Sequence, residues 1–130
     1  MKMKNILLVL LTHVIFISCS DFKGAEIKSF DREYFVIARV NRTDKKEEFF
    51  AEPILEIYDK TGKKITEIES GAGDFHKWKI GWSKYENILI LNSSDIGYRA
   101  WRINEEGEEE IKMTSGLKKE AMKLMKVATN

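Results

Sequence analysis

The chain has 130 residues, and its 22 lysines and arginines nearly balance its 21 aspartates and glutamates, for a formal net charge of +1. This length suits one domain with a modest core, and a charge so close to zero gives no field that would draw the protein to nucleic acid. The single cysteine excludes an internal disulfide, so packing has to supply the stability.

The first eighteen residues have the pattern of an export signal. Residues 1–5 carry two lysines and no acid, residues 6–17 are apolar apart from Thr12 and His13, and Ser18 ends the run with a small side chain. This order is typical of a secretory signal peptide. The apolar run is shorter than the roughly 20 residues that a membrane-spanning helix needs. The sequence therefore predicts a signal peptide over 1–18 and no permanent transmembrane anchor.

The stretch that ends at Cys19 resembles the lipobox of bacterial lipoproteins. A lipobox places apolar and small residues directly before a cysteine, and this chain has Phe16, Ile17 and Ser18 there. The resemblance implies diacylglycerol on the thiol of Cys19, cleavage before Cys19 and acylation of the new amine. Because more than one acyl chain gives stable anchoring, the lipid bilayer is the first expected partner.

The residue after the cysteine bears on where the anchor would lie. In lipoproteins of diderm envelopes, a residue other than aspartate there is typical of the outer membrane. With Ser20 in that place, the resemblance implies an outer-membrane anchor facing the periplasm rather than an inner-membrane one. The alternative is a signal peptide cut after Ser20, which would leave a secreted or periplasmic soluble protein without the cysteine.

Behind the anchor, residues 19–31 mix polar and small side chains and are interpreted as a lipidated tether. A β-rich domain is predicted over 32–130. Alternate residues from Tyr34 to Val40 are apolar, as in a strand with one buried face. Residues 54–59 and 64–69 form a predicted hairpin around Gly62.

The second half of the chain has the clearest alternation. Residues 76–82 place a histidine, two tryptophans and an isoleucine on one face. Residues 88–91 are apolar on both faces, which is typical of a central strand covered on both sides. Two more strands follow over 98–103 and 109–113. The tail then changes to a helical period, which predicts a helix over 115–128 with Ser115 as its N-cap.

Together these patterns predict a mainly β fold, either a single small antiparallel meander sheet or a sandwich of about seven strands, with a short C-terminal helix. The passage from Trp78 to Glu110 is similar to one blade of a β-propeller in its strands and turns. No repeat of fixed period covers the chain, and a ring needs at least four blades. A closed propeller is therefore excluded unless chains assemble.

Residue types that carry catalysis are scarce after the signal, where His76 is the single histidine. A nucleophile needs a base beside it, and the candidates for such a set around His76 are Asp74, Asp95, Ser83, Ser93 and Ser94. No nucleophile-elbow motif accompanies them, so we interpret His76 as a residue at the sheet margin. One histidine is also too few for a zinc site. The sequence predicts no catalytic residues, no metal and no cofactor.

Several residues are candidates for binding instead. Phe49 and Phe50 interrupt a charged loop, and an exposed aromatic there would suit a protein partner. Tyr85 and Tyr98 flank turns and are predicted to lie on an exposed surface. Glutamates cluster over 105–110, and there Glu106 and Glu109 would suit a basic partner, although a solvated hairpin tip is the competing interpretation. The three tryptophans are assigned to the core, since each buries a large area.

The anchor and the scarcity of catalytic sets favour a non-catalytic envelope lipoprotein that binds another envelope protein, as an accessory, an inhibitor or an immunity-type protein. The alternative is a small-ligand or glycan-binding lipoprotein that uses Tyr85, Tyr98 and the loop over 71–74. Basic residues form no stripe, which argues against nucleic acid as a partner. The sequence does not set the oligomeric state.

Overall fold

The computed structural model describes residues 24–42, 51–74 and 76–128. These residues form a mainly β fold with a C-terminal helix, as the sequence predicts. The elements are β1 (Ile27–Lys28), β2 (Tyr34–Arg42), β3 (Ala51–Asp59), β4 (Lys64–Glu69), β5 (Trp78–Trp82), β6 (Ile88–Ser93), β7 (Gly97–Asn104), β8 (Gly107–Ile111) and α1 (Ser115–Ala128).

The strands form two four-stranded antiparallel meanders. Sheet 1 has the order β1-β2-β3-β4 and sheet 2 the order β5-β6-β7-β8. Edge strand β1 lies against edge strand β5, and β4 lies against β8. The two sheets are therefore stacked in the same order, as a sandwich, which decides between the two predicted architectures.

The main core lies between the sheets and follows the alternation along each strand. Apolar side chains of β2 and β3 meet those of β6 and β7, with Trp78 and Trp82 packed at the margin. Among its larger side chains, the most completely buried are Val36, Leu55, Ile57, Leu89, Leu91 and Trp101. Burying large side chains of this kind contributes about 1.5–3 kcal/mol each. The predicted assignment of the tryptophans to the core is confirmed for Trp101, whereas Trp78 and Trp82 are only partly buried against it.

Strand β6 is buried along its whole length because both of its faces are covered. One face meets sheet 1, and on the other Ile88 and Ile90 pack against Leu117 and Ala121 of α1. The prediction of a central strand covered on both sides is confirmed. Within the described residues no helix is long and apolar enough to span a membrane.

The helix is held on sheet 2 by polar contacts as well. Its N-cap is Thr114, whose Oγ1 accepts the amide of Leu117 at 3.1 Å, so the prediction of Ser115 as the cap is wrong by one position. Threonine and serine are both good N-cap residues, so only the backbone geometry shows which of the two caps the helix. On β6, Asn92 Nδ2 donates to the carbonyl of Ala121 at 2.9 Å.

Part of the predicted tether belongs to the sheet. Strand β1 pairs with β2 at Ile27 and Val36, and the amide of Gly24 donates to the carbonyl of Ala38 at 2.8 Å. Trp82 Nε1 also donates to the carbonyl of Ile27 at 2.8 Å. A strand of two residues is too short to show an alternation, which is why the sequence pattern missed it. This strand brings the total to eight rather than about seven.

Sheet 2 coincides with the passage that is similar to a propeller blade, and sheet 1 has the same meander order. Helix α1 packs on the face of sheet 2 that points away from sheet 1. That face is where the next blade of a ring would pack. A ring assembled from copies of this chain would therefore have to displace α1.

Candidate functional site

Four hairpin turns lie at one end of the sandwich, which we call the hairpin end: residues 29–33, 60–63, 83–87 and 105–106. The two sheets meet there. Asn87 Nδ2 donates to Asp31 Oδ2 at 3.1 Å, which joins the β1–β2 and β5–β6 turns. A cleft of about 380 Å³ between the β3–β4 and β7–β8 turns is lined by residues that include Lys63 and Glu105.

The β1–β2 turn is built around Asp31. Its Oδ1 accepts the Ser29 hydroxyl at 2.9 Å and the Glu33 amide at 3.0 Å. Burial pushes the pKa of Asp31 upward, but hydrogen bonds from the Glu33 amide, Asn87 and Ser29 outweigh it and leave the pKa lowered. The ring of Phe30, at the tip, is 52% exposed. The turn therefore holds an aromatic side chain in solvent on a fixed backbone.

The β5–β6 turn presents a second aromatic in the same manner. Tyr85 is 78% exposed, as the sequence predicts. The turn beneath it is attached to α1, because Glu120 of the helix accepts the Lys84 amide at 2.9 Å and the Ser83 hydroxyl at 3.2 Å. Ser83 Oγ in turn accepts the amide of Tyr85 at 3.3 Å. An aromatic on a fixed turn loses little conformational entropy when it is covered.

Burial and nearby carboxylates both act on the phenol of Tyr34 beneath this end. Tyr34 lies in the core beneath the turns, and burial raises its pKa. The carboxylates of Glu105, Asp31, Glu33 and Asp59 raise it further. The four carboxylates that act on this phenol come from the β1–β2 turn, the β7–β8 turn and the end of β3.

The acidic cluster does not act as one surface, because strand alternation divides it. Glu106 is exposed in the β7–β8 turn, and its amide is bound by Asn104 Oδ1 at 2.8 Å. Glu109 is exposed on β8, opposite Arg102. Glu108 points to sheet 1 and accepts the Thr66 hydroxyl at 2.8 Å. Only the turn part of the cluster belongs to the hairpin end.

Glu110 forms a salt bridge with Arg99, which also contacts sheet 1; we call this pair the Arg99–Glu110 clasp. Arg99 donates to both its oxygens, at 2.8 and 2.7 Å, and also to the carbonyl of Ser70 at 2.8 Å. The same guanidinium lies over the ring of Trp101, 4.9 Å from its centroid. The hydrogen bonds from Arg99 lower the pKa of Glu110. The role of this pair is to hold β4 against β7 and β8.

Tyr98 is not part of the hairpin end. It pairs with Asn92 near the other end of β6 and is half-buried against α1, with Lys118 Nζ 5.8 Å from its ring centroid. The loop over 71–74 is also held in place, since Ala72 is fully buried and the amide of Gly73 donates to Asp95 at 3.0 Å. The structure does not bring Tyr85, Tyr98 and this loop together into one surface.

His76 is exposed, with Nε2 3.9 Å from Asp95 Oδ1. Of the hydroxyls considered with it, Ser93 Oγ accepts the amides of Asp95 and Ile96, and Ser83 binds the helix. No hydrogen bond joins a serine hydroxyl to His76 within the described ranges. The same ranges contain no group of three or more side chains placed to hold a metal ion.

The sequence analysis did not identify two residues of the β1–β2 turn, Phe30 at its tip and Arg32 beside it. It also named three residues whose positions are not described. Cys19, Phe49 and Phe50 lie outside the described residues. Phe30 could have been found, because an aromatic inside a polar stretch directly before Asp31 is a turn-tip candidate. Arg32 could not, since its positive φ of 61° is a backbone property that an arginine does not signal.

Comparisons with known proteins add no further information about this site. No protein-family model matches the chain, and neither the curated proteins nor the solved structures gave a significant match.

Proposed function

We propose that this protein is a non-catalytic binding module of an envelope lipoprotein, anchored in the outer membrane through Cys19, and that its hairpin end binds another envelope protein. The observation that carries the proposal is the pair of exposed aromatic rings, Phe30 and Tyr85, on turns joined by the Asp31–Asn87 hydrogen bond. Large aromatic side chains are enriched at protein interfaces and supply much of the binding energy.

The surroundings of the two rings suit a protein partner. Positively and negatively charged side chains lie on the same turns, as in the polar rim of an interface. The exposed charged residues of these turns are Asp31, Arg32, Glu33, Lys60, Lys63, Lys84, Glu86, Glu105 and Glu106. Charges of both signs at an interface contribute specificity and register more than affinity. The affinity is expected to come from the two rings.

The direction of the chain supports the same arrangement. Gly24 lies beside Ala38 in the middle of β2, and β1 runs from there toward the hairpin end. A lipid on Cys19 would be five residues before Gly24, a reach of at most about 18 Å. The lipid anchor would then lie at the opposite end of the domain. The hairpin end would face away from the bilayer and be accessible to a partner.

The proposal is tested by affinity capture from cross-linked envelopes with the lipidated protein as bait. We expect one stoichiometric partner with the wild type, and at least a tenfold smaller yield with the Phe30→Ser/Tyr85→Ser variant. The matched control is Ile96→Ser/Met122→Ser, which also removes two exposed apolar side chains, both outside the four hairpin turns. Equal capture by both double variants, with all three proteins folded, would refute the hairpin end as the binding surface.

A further inference from the structure

A cleft of about 410 Å³ lies at one corner of the hairpin end, between the β1–β2 hairpin and the β3–β4 turn. We propose that this cleft, which we call the basic cleft, binds a phosphate monoester. Its walls include Glu26, Lys28, Arg32, Phe35, Lys60 and Thr61. Three of these six side chains are cations, and only one is a carboxylate.

The cations of the basic cleft are available to a ligand. In the described part of the chain, neither Lys28 nor Arg32 forms a salt bridge or side-chain hydrogen bond. Lys60 Nζ lies 3.3 Å from Glu33 Oε1, but both side chains are largely exposed, and exposed pairs of this kind contribute little. A dianion can therefore compete for Lys60. Glu26 is the only carboxylate lining the cleft and opposes anion binding.

Arg32, which supplies the guanidinium of the basic cleft, has a backbone conformation that is unusual for a residue other than glycine. Its φ is 61°, in the left-handed region, whereas the neighbouring β3–β4 turn uses Gly62 for a positive φ of 89°. Non-glycine residues held in this region cost stability and cluster at binding sites. A guanidinium offers two parallel N–H donors to a phosphate, which an ammonium does not.

The remaining walls fit the organic part of the ligand. The Phe35 ring lines the cleft and stacks on Tyr58 at 5.0 Å between centroids and 11° between planes. This stack supplies a rigid apolar wall, and the Thr61 hydroxyl lies beside it. A phosphate monoester carries about −1.5 to −2 charges at neutral pH. Three cations therefore match it better than they match the single charge of a carboxylate.

The test is a calorimetric titration of the purified full chain with glucose 1-phosphate, with glucose as the uncharged control. A parallel arm uses phosphatidylcholine vesicles with one-fifth phosphatidic acid, compared with pure phosphatidylcholine vesicles to subtract insertion of the anchor. We expect saturable binding in at least one arm. Binding to the sugar phosphate alone identifies a soluble ligand, and binding to the acidic vesicles alone identifies a lipid headgroup.

Three variants make the assignment specific. Lys28→Gln/Arg32→Gln should weaken binding at least tenfold, while Lys119→Gln, an exposed helix lysine, should leave it unchanged. Glu26→Gln should strengthen binding severalfold, since it removes the opposing carboxylate. Arg32→Gly should lose affinity while its melting temperature rises, so that loss of binding is separated from loss of fold.

The outcome does not depend on the protein partner of the hairpin end, because no partner is present in the titration. Saturable binding that is weakened by the double variant establishes the basic cleft as the site. No saturable response in either arm overturns the proposal. So does equal affinity of the wild type and Lys28→Gln/Arg32→Gln, which would mean attraction to diffuse surface charge only.

Discussion

At the scale of single residues, the left-handed backbone at Arg32 makes a stability prediction. An L-residue in this region costs about 1–2 kcal/mol, and glycine avoids that cost but loses about 0.5–1 kcal/mol more backbone entropy on folding. We therefore expect Arg32→Gly to raise the free energy of unfolding by about 0.5–1 kcal/mol, measured by denaturant titration. Arg32→Ala keeps the strained φ and is expected to change the stability little, because the arginine side chain has no partner among the described residues.

Comparing the stabilities of Arg32→Gly and Arg32→Ala separates the effect of backbone strain from the effect of losing the side chain. If Arg32→Gly and Arg32→Ala had the same stability, the conformation at this position would not be strained in solution. The exposure of Tyr85 could be predicted from its place in a turn, but the conformation of Arg32 could not. Sequence patterns report burial and turn chemistry well, whereas a positive φ at a residue other than glycine leaves no trace in them.

At the scale of elements, Gly81 determines how closely α1 approaches sheet 2. A Cβ atom placed there would lie 2.5 Å from Leu124 Cδ2, so any larger residue must push that side chain or the helix away. We expect Gly81→Val to destabilise the protein by about 1–3 kcal/mol through overpacking, with faster hydrogen exchange in α1. Lys79→Val, on the same face of β5 and exposed, is expected to stay within about 0.5 kcal/mol of the wild type.

A rescue completes the test of this contact. Leu124→Ala removes the clashing methyl groups, so Gly81→Val should cost less in that background than in the wild type. An unchanged cost would show that the close approach of α1 to β5 is not what makes glycine necessary. The sequence predicted both elements, but it gave no sign that the glycine in β5 faces the helix.

The Arg99–Glu110 clasp predicts a dependence of stability on pH. Because Arg99 lowers the pKa of Glu110 in the folded protein, this carboxylate stabilises the fold above its unfolded pKa of about 4.3. That contribution is lost as the pH falls through the lowered folded value. Glu110 is 48% exposed, so the effect should stay below about 1 kcal/mol.

The measurement is the free energy of unfolding of the wild type and of Glu110→Gln across acidic pH. Their difference should be largest above about pH 5 and vanish well below pH 4. In an Arg99→Gln background, the same substitution should have no such pH dependence. A difference that persisted in that background would assign the effect to a group other than Arg99.

At the scale of the whole molecule, alternation and turn residues were enough to predict the mainly β fold, the central strand β6 and the bounds of α1. They could not predict how two meanders stack, because stacking is decided by contacts between residues far apart in the chain. The convergence of Phe30 with Tyr85 follows from that stacking. The candidate site was therefore only partly accessible from the sequence.

The anchor is a prediction at this scale as well. Cys19→Ala is expected to leave an unprocessed precursor without palmitate label, because the thiol is the proposed site of lipid attachment. Metabolic labelling and the mass of the product measure both effects, with wild-type protein as the control. Label that persisted in Cys19→Ala would refute this site of attachment.

The central claim, that the hairpin end is the protein-binding surface, is tested most directly by photocross-linking of the anchored protein in its own envelope. A benzophenone amino acid replaces Phe30 or Tyr85 in one set of variants and Ile96, which is exposed but outside the hairpin turns, in the control. The account predicts one cross-linked protein, the same from positions 30 and 85, and none from position 96. Cross-links from position 96 alone, or from none of the three while the protein is folded and anchored, would contradict it.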